Sequence, residues 1–373
     1  MSGLENFLTQ KIARRTEEGL LRKLTTSQNL IDFSSNDYLG LARSEDLFNA
    51  ISRKMDSLPL KRNGATGSRL LSGNSLYAET LEKKLAEFFR SETALLFNSG
   101  YAANQAVLSS IPQKDDTILY DELAHACIKD GARLSLATRH PFRHNDLHDL
   151  EKKIKRIKSG KIFIAVESIY SMDGDECPLQ ELTTLAEKYD AAVILDEAHS
   201  TGVAGSDGSG SAIAQGLEKK IDIRIHTFGK ALGIHGACVA GSTALVQYLM
   251  NFARPFIYTT ALPPHSLVSI DCALDHLKNN PGLQQMLRGK IAMFLKHVDF
   301  SNRVVSKSAI QTAIFPGNDA ARQAASSLQQ HGFDVRPILS PTVPRNSERL
   351  RICLHSFNRD EDIVNLAEAL KRC

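Results

Sequence analysis

From residue 76 onward the hydrophobic pattern of the chain switches repeatedly between a helical and a strand period. Leu81, Leu85, Phe88 and Phe89 recur at helical spacing across 78–89, and 93–97 (TALLF) follows as a short apolar run. Three later runs are short, apolar and β-rich: 162–166 (IFIAV), 192–195 (AVIL) and 223–225 (IRI). Each passes at once into polar residues and glycine, and a helix-length segment separates each from the next. Strands alternating with helices predict parallel pairing with right-handed crossovers, hence a doubly wound α/β sheet. Ligands of such sheets bind beyond the carboxyl ends of the strands. The residues just after these runs are therefore where chemistry is expected.

The flanks read differently. Residues 4–24 predict a docking helix, and 30–34 (LIDFS) a short strand running into the turn Ser35-Asn36-Asp37-Tyr38. Pro255, Pro263 and Pro264 punctuate the chain before a helical stretch over 266–295. A smaller α+β unit follows, with strands at 310–315 and 349–354 and helices at 319–331 and 360–371. In its last strand Leu350, Ile352 and Leu354 share one face, while Arg349 and Arg351 share the other. The expected division is an N-terminal segment (1–36), a large domain (37–275) and a small C-terminal domain (276–373).

Composition narrows the function. At about 150 residues per domain, 373 residues suit two or three domains. Apolar residues at 42% and charged ones at 23% exclude a disordered or collagen-like chain. A net charge of +3 offers no electrostatic footprint for nucleic acid or an anionic membrane, so the expected partner is a small molecule. The 6 cysteines are scattered without a C-x-x-C pair, which leaves no zinc or iron–sulfur spacing; no metal is expected. Glu5, Lys11, Arg14 and Arg15 interrupt any apolar stretch near the start, and no run approaches membrane-spanning length. A cytoplasmic protein with reduced thiols is the expectation.

The strand ends supply the candidate chemistry. Glu167, Ser168, Ser171 and Asp173 follow the first of the three later runs, Asp196, Glu197, His199 and Ser200 the second, and His226, Thr227, Gly229 and Lys230 the third. A lysine is almost never buried unpaired, so Lys230 at a strand end suggests a Schiff base. Asp196 could hold a cationic ring nitrogen, and an Asp-plus-Lys pair is what pyridoxal phosphate needs from a protein. The plainer readings are a surface lysine at a helix start and an aspartate capping a helix. Asp196-Glu197-Ala198-His199 also matches the DEAH signature of helicases, but no G-x-x-x-x-G-K-[ST] loop accompanies it, since Lys230 is followed by Ala231. A helicase is excluded. The cluster His144 to His148 could ligate a metal, although Asp146 suits a solvated helix start better. Asn98-Ser99-Gly100-Tyr101, between a strand and a helix, is a common turn by itself. With Thr227 it makes a plausible phosphate cup.

Together these stretches resemble the α-oxoamine synthase family of fold-type I pyridoxal-phosphate enzymes. The match rests on 35–41 (SNDYLGL), 96–107 (LFNSGYAANQAV), 170–175 (YSMDGD) with Glu167, 196–202 (DEAHSTG) and 226–233 (HTFGKALG), and extends through 257–264 (IYTTALPP), 341–344 (PTVP) and 349–351 (RLR). The resemblance implies a large, mostly parallel sheet domain and a smaller α+β domain, with pyridoxal 5'-phosphate as cofactor. Lys230 would bond the cofactor and serve as acid and base, Asp196 would pair with its ring nitrogen, His199 with its ring hydroxyl, and His125 would stack on the ring. Gly100, Tyr101, Ser171 and Thr227 would contact the cofactor or its phosphate. Asn36 and Arg351 would hold an amino-acid carboxylate, with Thr342, His125 and Arg22 near the substrates. Thr260 would reach the cofactor of a partner subunit in a homodimer. The member most resembled condenses L-alanine with a pimeloyl thioester, carried by coenzyme A or an acyl carrier protein, in biotin biosynthesis. A sister enzyme using glycine, serine or another acyl group is the alternative. A non-catalytic binding module is a third, and the set Asp196, His199 and Lys230 argues against it. Three departures bear on the acyl-donor side: a short 24–31 connection, His235 where a small residue is usual, and Ala78 where histidine often occurs.

Overall fold

The structure is a computed structural model, and it describes residues 2–24, 26, 29–59, 61–298 and 302–373. Its strands, in chain order, are β1 (Ile31–Asp32), β2 (Thr93–Phe97), β3 (Thr117–Asp121), β4 (Thr138–Phe142), β5 (Ile162–Glu167), β6 (Ala192–Asp196), β7 (Ile223–Thr227), β8 (Ala237–Gly241), β9 (Ile310–Ile314), β10 (Phe333–Asp334), β11 (Arg336–Ile338) and β12 (Arg349–Cys353). Seven of them form one sheet in the order β2-β8-β7-β6-β5-β3-β4. Pairing is parallel except at β8, which runs antiparallel to both β2 and β7.

Burial on both faces accounts for this sheet. On one face Leu95, Phe97, Ala165, Ile194, Ile225 and Val239 pack with Ala103, Ala106 and Val107 of the helix Gly100–Ser110. On the other, Ile164, Val166, Val193 and Leu195 meet Leu150, Leu179 and Leu182. Successive residues thus alternate between two cores, and neither face can turn to water. Truncating a fully buried side chain such as Leu195 to alanine costs about 2–5 kcal/mol.

A second sheet of order β11-β12-β9 is antiparallel and lies in the C-terminal part. Leu350 and Ile352 of β12 enter a core with Leu328, Ile363 and Leu366. On the opposite face of this strand Arg349 and Arg351 are both buried, because each meets a polar group of the large sheet's loops. β1 pairs in parallel with β10, and the amide of Cys353 donates to the carbonyl of Phe33 at 2.8 Å. These bonds thread residues 31–38 along the C-terminal unit and carry Asn36 and Tyr38 to the edge of the large sheet.

One expectation needs correcting. The N-terminal helix, Gly3–Glu17, buries no residue and so does not dock on its own chain. The helical stretch expected over 266–295 consists of two helices, Pro264–Asn279 and Gly282–His297, broken at Asn280-Pro281 because proline cannot continue the first. In the 24–31 connection, Thr25, Ser27 and Gln28 lie outside the described residues.

Candidate active site

The parallel strands end together, and their ends build one cavity. Glu167 closes β5 and Asp196 closes β6, paired in register. Thr227 closes β7, and Lys230 follows three residues later. With Asn36, Gly100, Tyr101, His125 and His235 these residues line a space of about 280 Å³.

Asp196 is held by two donors. Asn104 Nδ2 gives to its Oδ2 at 2.7 Å, and the amide of Ala198 gives to its Oδ1 at 2.8 Å. Asn104 also donates to the carbonyl of Gly100 at 3.0 Å, tying the helix Gly100–Ser110 to the strand end. Strand alternation turns the neighbouring Glu197 away, where the amides of Ser211 and Ala212 satisfy it at 2.8 Å each. Only one acid of the DEAH string therefore faces the cavity. His226 is also turned away, stacked on Phe89 with ring centroids 3.6 Å apart.

Lys230 Nζ lies 2.9 Å from His199 Nε2. Burial lowers the pKa of the Lys230 amine, against the opposing pull of Asp196 and Glu167. Burial likewise holds His199 well below its ordinary value, so the imidazole is neutral and Nε2 can accept from the lysine. Its Nδ1 meets the Tyr38 hydroxyl at 2.8 Å, and that hydroxyl lies 3.1 Å from Asn36 Oδ1. Arg351 Nη2 donates to the same Asn36 oxygen at 2.9 Å, while its Nε donates to the carbonyl of Ser171 at 2.7 Å. One hydrogen-bonded line thus joins the lysine to the arginine.

His125 caps the helix Ala126–Leu134: its Nδ1 accepts from the amide of Cys127 at 3.2 Å and lies 2.9 Å from Cys127 Sγ. Burial lowers its pKa. Its own amide donates to Glu167 Oε1 at 2.5 Å. Burial, reinforced by Asp196, pushes the Glu167 carboxyl up to about 8.

Not every expected residue lines this cavity. Ser171, Thr342 and Arg22 line an adjoining cavity of about 620 Å³, which shares His125 with the first. Thr260 is exposed, and its carbonyl accepts from Asn98 Nδ2 at 3.0 Å. Tyr38 and Asn104 are the side chains sequence reasoning missed; a polar residue four positions after Gly100, on the buried side of a helix, was the available signal for Asn104.

The sequence profile of "Aminotransferase class I and II" matches residues 28–370. An 8-amino-7-oxononanoate synthase of Emericella nidulans is 41% identical, over 98% of this chain and 95% of its own length. The chain belongs to the class I and II aminotransferase family. Within the family it falls among the α-oxoamine synthases. A solved 8-amino-7-oxononanoate synthase from Francisella tularensis is 31% identical with a TM-score of 0.78, covering 93% of this chain and 98% of that one. A serine palmitoyltransferase from S. paucimobilis is 26% identical with a TM-score of 0.89, covering 100% and 99%.

The residues of this α-oxoamine synthase suit pyridoxal phosphate. Thr227 Oγ1 is buried without a hydrogen-bond partner beside the first turn of the helix Gly100–Ser110. A Cβ on Gly100 would overlap Cγ2 of Thr227, so glycine there keeps the backbone amides open to a phosphate. Asp196 would supply the anion for a ring nitrogen, and Lys230 the amine for an aldehyde.

Proposed function

We infer that the protein joins L-alanine to a pimeloyl thioester in the cytoplasm, releasing carbon dioxide and the carrier thiol, as a step of biotin biosynthesis. The chain is a pyridoxal-phosphate-dependent acyltransferase. The observation that carries the reading is Lys230 Nζ at 2.9 Å from a neutral His199, in the cavity whose wall includes Asp196 and whose far edge is Asn36, the residue Arg351 holds.

When bound, pyridoxal phosphate supplies an electron sink for the negative charge left on the amino acid's α-carbon. The rest falls to side chains. Asp196, steadied by Asn104 and Ala198, holds the ring nitrogen's proton. Arg351 and Asn36 take the substrate carboxylate, and a planar guanidinium fixed by Ser171 gives it one orientation. Lys230, made less basic by burial, takes the α-proton at Nζ and later returns one. A new carbon–carbon bond forms as the thioester carbon–sulfur bond breaks and carbon dioxide departs; of the two protons needed, by the leaving thiolate and by the carbon that loses carbon dioxide, one is the α-proton held on Lys230 and the other comes from solvent. The adjoining cavity, with Arg22 and Thr342, offers room for the acyl group of coenzyme A or an acyl carrier protein. Thr260, exposed and outside its own chain's cavity, suits a homodimer in which it reaches the partner's site.

The serine palmitoyltransferase likeness favours a second reading, serine with a long-chain thioester, because its TM-score is the higher of the two. The 41% identity to an 8-amino-7-oxononanoate synthase outweighs it, since specificity resides in side chains rather than in the backbone path. Borohydride reduction of the cofactor-loaded protein should attach the cofactor to Lys230, and alanine with pimeloyl thioester should yield the decarboxylated amino ketone by mass. Label on another lysine, or no product, contradicts the reading.

A further inference from the structure

His144 follows the edge strand β4, and the structure gives it neither of the roles its sequence suggests. Among the described residues no group of three or more His, Cys, Asp or Glu side chains is arranged to hold a metal. Asp146 does cap the next helix, through the amide of Asp149 at 2.8 Å, but His144 is not part of that cap. Its Nδ1 lies 2.9 Å from Asp121 Oδ1 and its Nε2 2.6 Å from Asp175 Oδ2. With a carboxylate on each nitrogen, both must carry protons, and the ring is a cation. Tyr170 packs edge-on against it at 4.5 Å. Asn145 repeats the bridge, its amide donating to Asp121 Oδ2 and its Nδ2 to Asp175 Oδ2, both at 2.9 Å.

The two carboxylates belong to different parts of the site. Asp121 ends β3 of the large sheet; Asp175 closes the turn 170–175, where the amide of Tyr170 donates to the carbonyl of Asp175 at 2.9 Å and that of Gly174 to Tyr170 at 2.8 Å. This turn is the seat of the C-terminal unit. The carbonyl of Ser171 holds Arg351 Nε at 2.7 Å, Asp173 pairs with Arg349, and the carbonyl of Gly174 accepts from Ser306 Oγ at 2.8 Å. Gly174 has φ +74°, and a Cβ there would overlap the carbonyl oxygen of Ile310. The turn is thus fastened to the C-terminal unit by Arg351, Arg349 and Ser306. Toward β3, His144 and Asn145 fasten it.

We propose that His144 is a positioning residue for the amino-acid substrate: bridging Asp121 and Asp175, it seats the 170–175 turn on the large sheet and, through the Ser171 carbonyl, aims the guanidinium of Arg351. The proposal rests on Arg351 as the carboxylate-binding residue of the proposed function. Removing the imidazolium leaves two carboxylates facing each other across the junction, and their repulsion displaces the turn that sets the angle of Arg351.

The test is the dissociation constant of alanine for the cofactor-loaded protein, read from the visible spectrum without an acyl donor. His144→Gln and Asp175→Asn should each raise it about tenfold, and the double variant no further than the worse single one. Cofactor affinity and the spectrum before alanine is added should not change, which a general loss of structure would alter. If His144→Gln fails to fold, Asp175→Asn decides alone. Glycine and serine are tried beside alanine, because the carboxylate is common to all three. Variants that bind the amino acid as the parent does, or that lose cofactor in step with it, overturn the latch while the proposed function stands. A parent protein that binds none of the three overturns both.

Discussion

The Tyr38 hydroxyl lies 2.8 Å from Nδ1 of His199, joining the turn after β1 to the imidazole that touches Lys230. Tyr38 is buried, and burial raises its pKa, so it keeps its proton. That proton can go to Asn36, which makes His199 Nδ1–H the donor to Tyr38 and leaves Nε2 free to accept from Lys230. Tyr38→Phe strands a buried N–H, a loss of about 1–3 kcal/mol. The expected outcome is a kcat roughly tenfold lower for that loss, with cofactor still bound, measured by steady-state thiol release. An unchanged kcat contradicts the assigned tautomer.

Asn104→Ala removes a charge-assisted donor from Asp196 without touching the lysine. A hydrogen bond to a charged group is worth about 1.5–3 kcal/mol, so cofactor should bind roughly ten- to a hundredfold more weakly. Titration of the visible absorbance reads this directly.

Gly100→Ala drives a methyl group into Thr227 Cγ2. Overpacking of this kind costs about 1–3 kcal/mol. The single variant should lose thermal stability and cofactor affinity, and Thr227→Ser in the same chain should restore much of both, because serine keeps the hydroxyl and drops the methyl. Failure of the second change to rescue the first points to some other clash.

The pH dependence of stability tests the charge of His144. Burial opposes that charge, but the hydrogen bonds His144 donates to Asp121 and Asp175 outweigh it and push the pKa from 6.5 up to about 9. The other groups around it are Asn145, the Tyr170 ring and Glu122, which accepts its amide, while Arg143 turns to Asp146. A folded pKa above the unfolded one means the contribution is fully present below 6.5 and is lost as pH rises through about 9. Thermal melts of the parent should therefore fall more steeply over that window than those of His144→Gln. Parallel curves mean that the imidazole is neutral.

The strands that bear Glu167, Asp196 and Thr227 are legible in the sequence because both of their faces are buried, so they read as unbroken apolar runs. β4 is not: it is an edge strand with Thr138 to Pro141 exposed, and its residues carry no alternating signal. β8 (ACVAG) is missed because small residues give little contrast, and its antiparallel pairing has no local signature. In the site, Asp196 and Lys230 stand out by following apolar runs. Tyr38 does not, and Asn104 is marked only by its helical register with Gly100, since a polar side chain turned inward otherwise looks in sequence like one turned outward. Only the assembled sheet shows which way each points. The burial of Arg349 and Arg351 has the same cause: their partners, Asp173 and the Ser171 carbonyl, lie far away in the chain.

The most direct measurement is kcat/KM for thiol release with alanine, glycine and serine, each against pimeloyl, acetyl and palmitoyl thioesters. Alanine with the pimeloyl thioester should be the fastest pair, well ahead of any other combination. Faster turnover of serine with the palmitoyl thioester, or of glycine with the acetyl one, would contradict it.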